Sequence, residues 1–122
     1  MAFERAIFLS EKCGSRLDVV HVVQCEIGGD SAVTFEQIEE LEGNAKEILE
    51  RYKMEAVKQK VPIKVFFEIG DPAKIITEIV NKKEYDLIIM GSRGMSTFKE
   101  LLLGSVSLKV MHHAKCPVMI VR

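Results

Sequence analysis

The 122-residue sequence has no surplus of basic charge. Its 17 lysines and arginines meet 18 aspartates and glutamates, giving a net charge of −1 and a sequence pI near 6.3. That balance leaves no electrostatic footprint for DNA or RNA and no polybasic patch for a membrane surface. Long hydrophobic runs are also missing, since no apolar stretch approaches the roughly 20 residues that cross a bilayer. Glu4 and Arg5 interrupt the start, and no small-residue cleavage site follows an apolar stretch. A secretory leader is therefore not expected, and the cytoplasm is the default location. Cysteine is sparse: Cys13, Cys25 and Cys116 are odd in number and far apart. This argues against a disulfide framework, and the absence of C-x-x-C argues against a zinc or redox pair. The three read as small buried or half-buried thiols. Two nucleotide signatures are absent as well: there is no Gly-Lys-Ser/Thr of a Walker A loop and no G-x-G-x-x-G. No internal repeat, linker or low-complexity stretch interrupts the chain.

What is present is enough apolar sequence for one core. A hydrophobic share of 48% suits a globular domain, here expected to span residues 1–122. Phe3, Ala6, Ile7, Leu9 and Cys13 mark one face of a helix from Ala2 to Lys12, with Gly14 at its C′ position. Leu17 to Val23 is rich in β-branched residues and reads as a buried strand, and Cys25 to Val33 as a loop. Thr34 and Gln37 have capping-box spacing at the start of a long helix. Its apolar stripe is Phe35, Ile38, Leu41, Ala45, Ile48, Tyr52 and Ala56, with Gly43-Asn44 as a weak point inside it. Ile63 to Ile69 reads as a strand with one exposed face, near a sheet edge. Asp71-Pro72 opens a third helix, with Asp71 as N-cap, and Tyr85 to Met90 follows as a strand. A helix from about Ser105 to His113 and a last strand, Pro117 to Val121, complete an αβαβαβαβ order. Alternation of this kind implies an α/β fold with a parallel sheet covered on both faces.

The most specific local signal is G91-x-x-G94-x9-G104-S105. A strand, a glycine-bearing loop and a helix entered through Gly-Ser make a phosphate cradle. Glycine lets backbone amides approach an anion, and a helix start aims unpaired N–H groups and partial positive charge at it. On this reading Ser105 both caps the helix and donates its hydroxyl, and Arg93 adds charge. The plainer alternative is that the glycines are turn residues after a strand.

Other candidates read as structural. His21 is expected to be a packed core histidine. His112 and His113 are adjacent, roughly 100° apart around a helix, and cannot chelate as an i,i+4 pair does. The glutamates of the long helix form a solvated face. Met90 and Met95 flank the loop and either touch a base or ribose or fill gaps in the core. No Ser/His/Asp or Cys/His spacing suggests a nucleophile, and no carboxylate near the loop suggests a general base or metal ligand. Catalytic and metal residues are therefore none, and at most a very slow ATPase is expected.

The stretch MGSRG…LLLGSVSLKVMHHAKCPVMIV resembles the C-terminal signature of the universal stress protein family, whose hallmark is G-x2-G-x9-G-(S/T). The resemblance extends through AFERAIFLSEKCGSRLDVVHVV, GDPAKIITEIV and YDLIIMG, and so along the whole chain. It implies a three-layer, Rossmann-like fold with a five-stranded parallel sheet in the order 3-2-1-4-5. It also implies ATP binding, with or without magnesium, in a module that regulates or protects during stress. The site it implies comprises Val22 near the adenine, Met90, Gly91, Ser92, Arg93, Gly94, Gly104, Ser105, Val106 and Ser107. A homodimer is expected through the last strand, Pro117–Val121, with Val118 and Ile120 facing one way and Met119 and Val121 the other. The family's first strand, which ends in Pro-x-Asp-Gly-Ser and contacts adenosine, has no counterpart before Ala2. The sequence is thus expected to begin part-way into the domain, with the phosphate half of the site complete. The alternative function is a homodimeric interaction protein of the same fold that binds no nucleotide.

Overall fold

The computed structural model describes residues 2–24, 34–92 and 104–122. Eight elements alternate along them: α1 (Ala2–Cys13), β1 (Leu17–Gln24), α2 (Phe35–Lys58), β2 (Ile63–Gly70), α3 (Pro72–Lys83), β3 (Ile88–Gly91), α4 (Ser105–His113) and β4 (Val118–Val121). The strand pairs are parallel, as the helix-strand alternation requires. The chain divides into two compact units, Leu9–Pro72 and Met1–Phe8 with Ala73–Arg122.

In the first unit, β1 and β2 pair over their full length, from Leu17 opposite Ile63 to Gln24 opposite Gly70. Helix α2 packs on both strands and buries Ala45, Leu49 and Ala56, which share one helical face. Leu49 is an addition to the expected stripe. Phe35, expected within it, is 75% exposed. It is the first helical residue, and its Cβ tilts back past the helix start, where no turn lies beneath it. Gly43 is an open surface position, where an added Cβ would meet nothing within 4 Å.

The ends of these helices are closed locally. Thr34 Oγ1 accepts the Gln37 N–H, and the Gln37 side chain accepts the Thr34 N–H, completing the capping box. At the other end of α2, Lys60 takes a left-handed φ of 58°. Its N–H reaches the Val57 carbonyl and the Val61 N–H reaches Ala56, the two bonds of a Schellman motif built without glycine. Gly14 does the same work after α1 at φ 66°, with the Ser15 N–H on the Ser10 carbonyl.

In the second unit, β3 and β4 pair over four positions, Ile88 with Val118 to Gly91 with Val121. The core is Ala73 and Val80 from α3, Ile88 from β3 and Val110 from α4, the last fully buried. Ile76, Tyr85, Met90, Val106, Cys116 and Val118 pack around it. Burying a valine or isoleucine side chain here is worth roughly 1.5–3 kcal/mol. Both strands are shorter than expected. Asp86 and Leu87 are exposed, so the chain enters the sheet only at Ile88, while Tyr85 packs against the core from outside the strand. Pro117 lies just before β4 and accepts the Ile88 N–H. Pro72 is the first residue of α3, directly after Asp71, as the dipeptide implies. The Asn81 side chain ties α3 to the turn before β4: its amide donates to the His113 carbonyl and its oxygen accepts the Lys115 N–H.

Candidate functional site

The site grows from the end of β3. Gly91 is the last strand residue, and Ser92 continues the ladder by donating its N–H to the Val121 carbonyl at 3.0 Å. The Ser92 carbonyl then accepts the Gly104 N–H at 2.7 Å. The two ends of the intervening segment are thus bonded to each other. One helical turn further on, Ser107 Oγ donates to the Gly91 carbonyl at 2.8 Å. Ser107 is 3% exposed, so this is a buried tie between strand end and helix start.

Gly104, not Ser105, is the N-cap of α4, and no side chain caps the helix. This corrects the expectation of a Ser105 cap. A capping oxygen must come from the residue before the first helical one, and here that residue has no side chain. Ser105 instead stands exposed at the first helical position. The first intrahelical bond is Leu108 N–H to the Gly104 carbonyl, 3.0 Å. The N–H groups of Ser105, Val106 and Ser107 therefore have no acceptor within the helix. They lie at the end where the helix dipole places roughly half a positive charge. Three amides and one exposed hydroxyl at a positive end suit an oxyanion, above all a phosphate.

Gly104 has φ −60° and ψ 156°, backbone that any residue adopts. The conformation does not demand glycine, and the residue leaves the space over the first-turn amides free of a side chain of its own.

The structure thus sorts the expected residues. Gly91, Ser92, Gly104, Ser105, Val106 and Ser107 come together at one end of β3 and α4. Met90 and Val106 turn their side chains to the core cluster, which leaves Val106 its backbone N–H for a ligand. Val22 lies on β1, half-buried and in register with Glu68, in the other compact unit. Arg93 and Gly94, like Met95 and Cys25, lie outside the described residues. The inward role of Ser107 was not deduced from the sequence, but a signal existed. Ser105 and Ser107 are two apart, roughly 200° around a helix, so they cannot share a face.

Away from this end, His21 is half-buried on β1 opposite Phe67, and His112 and His113 are exposed in the last turn of α4. Burial and, secondarily, the Asp86 carboxylate push the Cys116 thiol above its ordinary value, against a backbone hydrogen bond that lowers it. Among the described residues, no three His, Cys, Asp or Glu side chains converge as a metal site, and no helix is long and apolar enough to cross a membrane.

Comparison with known proteins bears on this arrangement. The model of the universal stress protein family matches residues 1–122. The universal stress protein YxiE of Bacillus subtilis is 34% identical, over 99% of this chain and 88% of its own. The structure of universal stress protein UspA from Lactobacillus plantarum superposes with a TM-score of 0.87 at 24% identity, covering 99% of this chain and 87% of that one. A universal stress protein solved in complex with cAMP gives 0.72 at 24% identity, covering 99% and 86%. A universal stress protein family protein from Arabidopsis thaliana with AMP bound gives 0.64 at 22%, covering 97% and 76%. These likenesses share the α/β architecture with parallel strands described above. On the full-length family match and the relative at 34% identity, the chain belongs to the universal stress protein family.

Proposed function

We propose that the chain binds an adenine nucleotide, ATP in the first instance, with its phosphates at the start of α4. The observation that carries this is the uncapped first turn behind a glycine whose backbone does not require glycine. In the proposed pose, phosphate oxygens accept from the N–H groups of Ser105, Val106 and Ser107 and from the Ser105 hydroxyl. Gly91 and Ser92, tied to the helix start by hydrogen bonds, border the phosphates. The cAMP and AMP found in two structural neighbours support a nucleotide of this class.

The module then acts as a cytoplasmic binding protein in the stress response, regulatory or protective, and not as an enzyme. We assign no catalytic residue. Calorimetry should show saturable ATP binding in the parent and its loss in Gly104→Val, whose side chain would occupy the approach to the amides. Equal affinity in the two proteins would overturn the phosphate assignment. A metal-dependent turnover of about 1 s⁻¹ or more, surviving purification, would overturn the binding-module reading.

A second reading, a homodimer through the last strand, is favoured by one observation. Among the described residues β4 pairs with a strand on one side only, and Met119 on it is 38% exposed. Val118 packs on the core, so replacing it would disturb folding as well as assembly. Met119→Lys is the cleaner test: it should yield monomers at micromolar concentration where the parent sediments as a dimer. A parent that sediments as a monomer would end this reading.

A further inference from the structure

We propose that Ser107 is a positioning residue for the nucleotide site and not one of its side-chain ligands: its hydroxyl locks the end of β3 to the first turn of α4. This rests on the nucleotide-binding reading above and adds to it.

A serine hydroxyl has one O–H to give. In Ser107 it is engaged at 2.8 Å by the Gly91 carbonyl, and the residue is buried. A phosphate offers only acceptors to such a group, so Ser107 Oγ cannot donate to it while the lock is closed. Ser105, two residues earlier and exposed, has the hydroxyl that can. The serines of Ser105-Val106-Ser107 therefore divide the work, one facing the ligand and one facing the fold.

What the lock holds follows from its neighbours. Gly91, whose carbonyl accepts the hydroxyl, directly precedes Ser92, and the Ser92 peptide is fixed at both ends, by Val121 on one side and Gly104 on the other. Gly104 in turn accepts the Leu108 N–H and starts the helix. The Ser107 bond closes this circuit from the helix side. It fixes the direction in which the first-turn amides point relative to β3. Removing it frees rotation of that turn and costs affinity for the part of a ligand that those amides hold.

The test separates phosphate from nucleoside. Calorimetry on the full chain compares ATP and adenosine for the parent, Ser107→Ala and Ser107→Thr. Hydrogen exchange of the Ser92 and Gly104 amides is followed without nucleotide. Ser107→Ala should weaken ATP about tenfold, the effect of one buried hydrogen bond, and leave adenosine unchanged. It should also speed exchange at Ser92 and Gly104 but not in β1. Ser107→Thr, which keeps the hydroxyl, should restore both. Unchanged ATP affinity in Ser107→Ala would overturn the inference and leave nucleotide binding standing. Equal losses for ATP and adenosine would overturn it in favour of a general structural role. ATP loss with unaltered exchange would overturn it in favour of a direct ligand. A parent that binds no ATP would defeat the nucleotide reading and take this inference with it.

Discussion

Helices α2 and α4 lie in different compact units, and they satisfy their first turns in different ways. Helix α2 brings its own acceptors: Thr34 takes the Gln37 N–H, and Gln37 returns to the Thr34 N–H. Helix α4 begins behind Gly104 with no side chain at its cap. A reciprocal cap occupies the space an anion would need, and a glycine leaves it open. The same backbone requirement, partners for the first N–H groups, is met from within the chain in one case and, in the proposed function, by a phosphate in the other. The strands behind the two helices differ as well. β1 and β2 form an eight-residue ladder, whereas β3 and β4 pair over four residues and are continued by Ser92, Gly104 and Ser107 into the start of α4. The short ladder is the one whose end is tied to the helix start.

The largest effect should come from giving α4 the kind of cap α2 has. Gly104→Asp places a carboxylate over the first-turn amides, filling the anion's position with the wrong charge. ATP affinity should fall about 100-fold or more. Thermal stability should change little, because aspartate and glycine caps differ by only about a few tenths of a kcal/mol. Calorimetry and a melting curve together check this, and undiminished binding would break the comparison. Next in size is Ser105→Ala, which removes the proposed hydroxyl donor to a charged phosphate and should weaken ATP about tenfold in the same titration.

The converse change belongs to α2. Thr34→Ala deletes a cap that has no ligand to serve, so it should cost about 1 kcal/mol in denaturant unfolding and leave ATP affinity unaltered. A parallel loss of affinity would mean that the two helix starts are not independent.

The smallest effect concerns Cys116. Burial and Asp86 raise its thiol, so the folded protein favours the protonated form. Whatever stability this contributes is present below the ordinary thiol value and is lost as pH rises through the raised one. At pH 8, alkylation of Cys116 should lag that of the exposed Cys13, measured by mass mapping. Equal rates would show that the second unit does not disfavour a thiolate there.

Much of this was legible in the residues because the signals are local. The Thr34/Gln37 spacing, Pro72 and Gly14 report turns and caps formed within a few residues, and the structure realises each. The start of α4 at Ser105 was equally local. What escaped depends on contacts distant in sequence. Tyr85 to Leu87 is apolar enough for a strand, but β3 starts only where β4 offers partners, at Ile88. Ser107 and Gly91 are 16 residues apart, and no spacing rule joins them. Lys60 takes a conformation usually left to glycine, held by the two bonds that close α2. For the candidate site, the glycine spacing pointed to one strand end and one helix start, which the structure bonds to each other, while the arrangement of the two serines required the hydrogen bonds themselves.

The central claim is that the first turn of α4 receives a phosphate and the first turn of α2 does not. A titration of the ¹⁵N-labelled chain with ATP, followed by amide chemical shifts, tests it most directly. Saturable shifts are expected at Ser105, Val106 and Ser107, with Phe35, Glu36 and Gln37 unmoved. Shifts at the α2 amides, or none at Ser105 to Ser107 under saturating ATP, would contradict it.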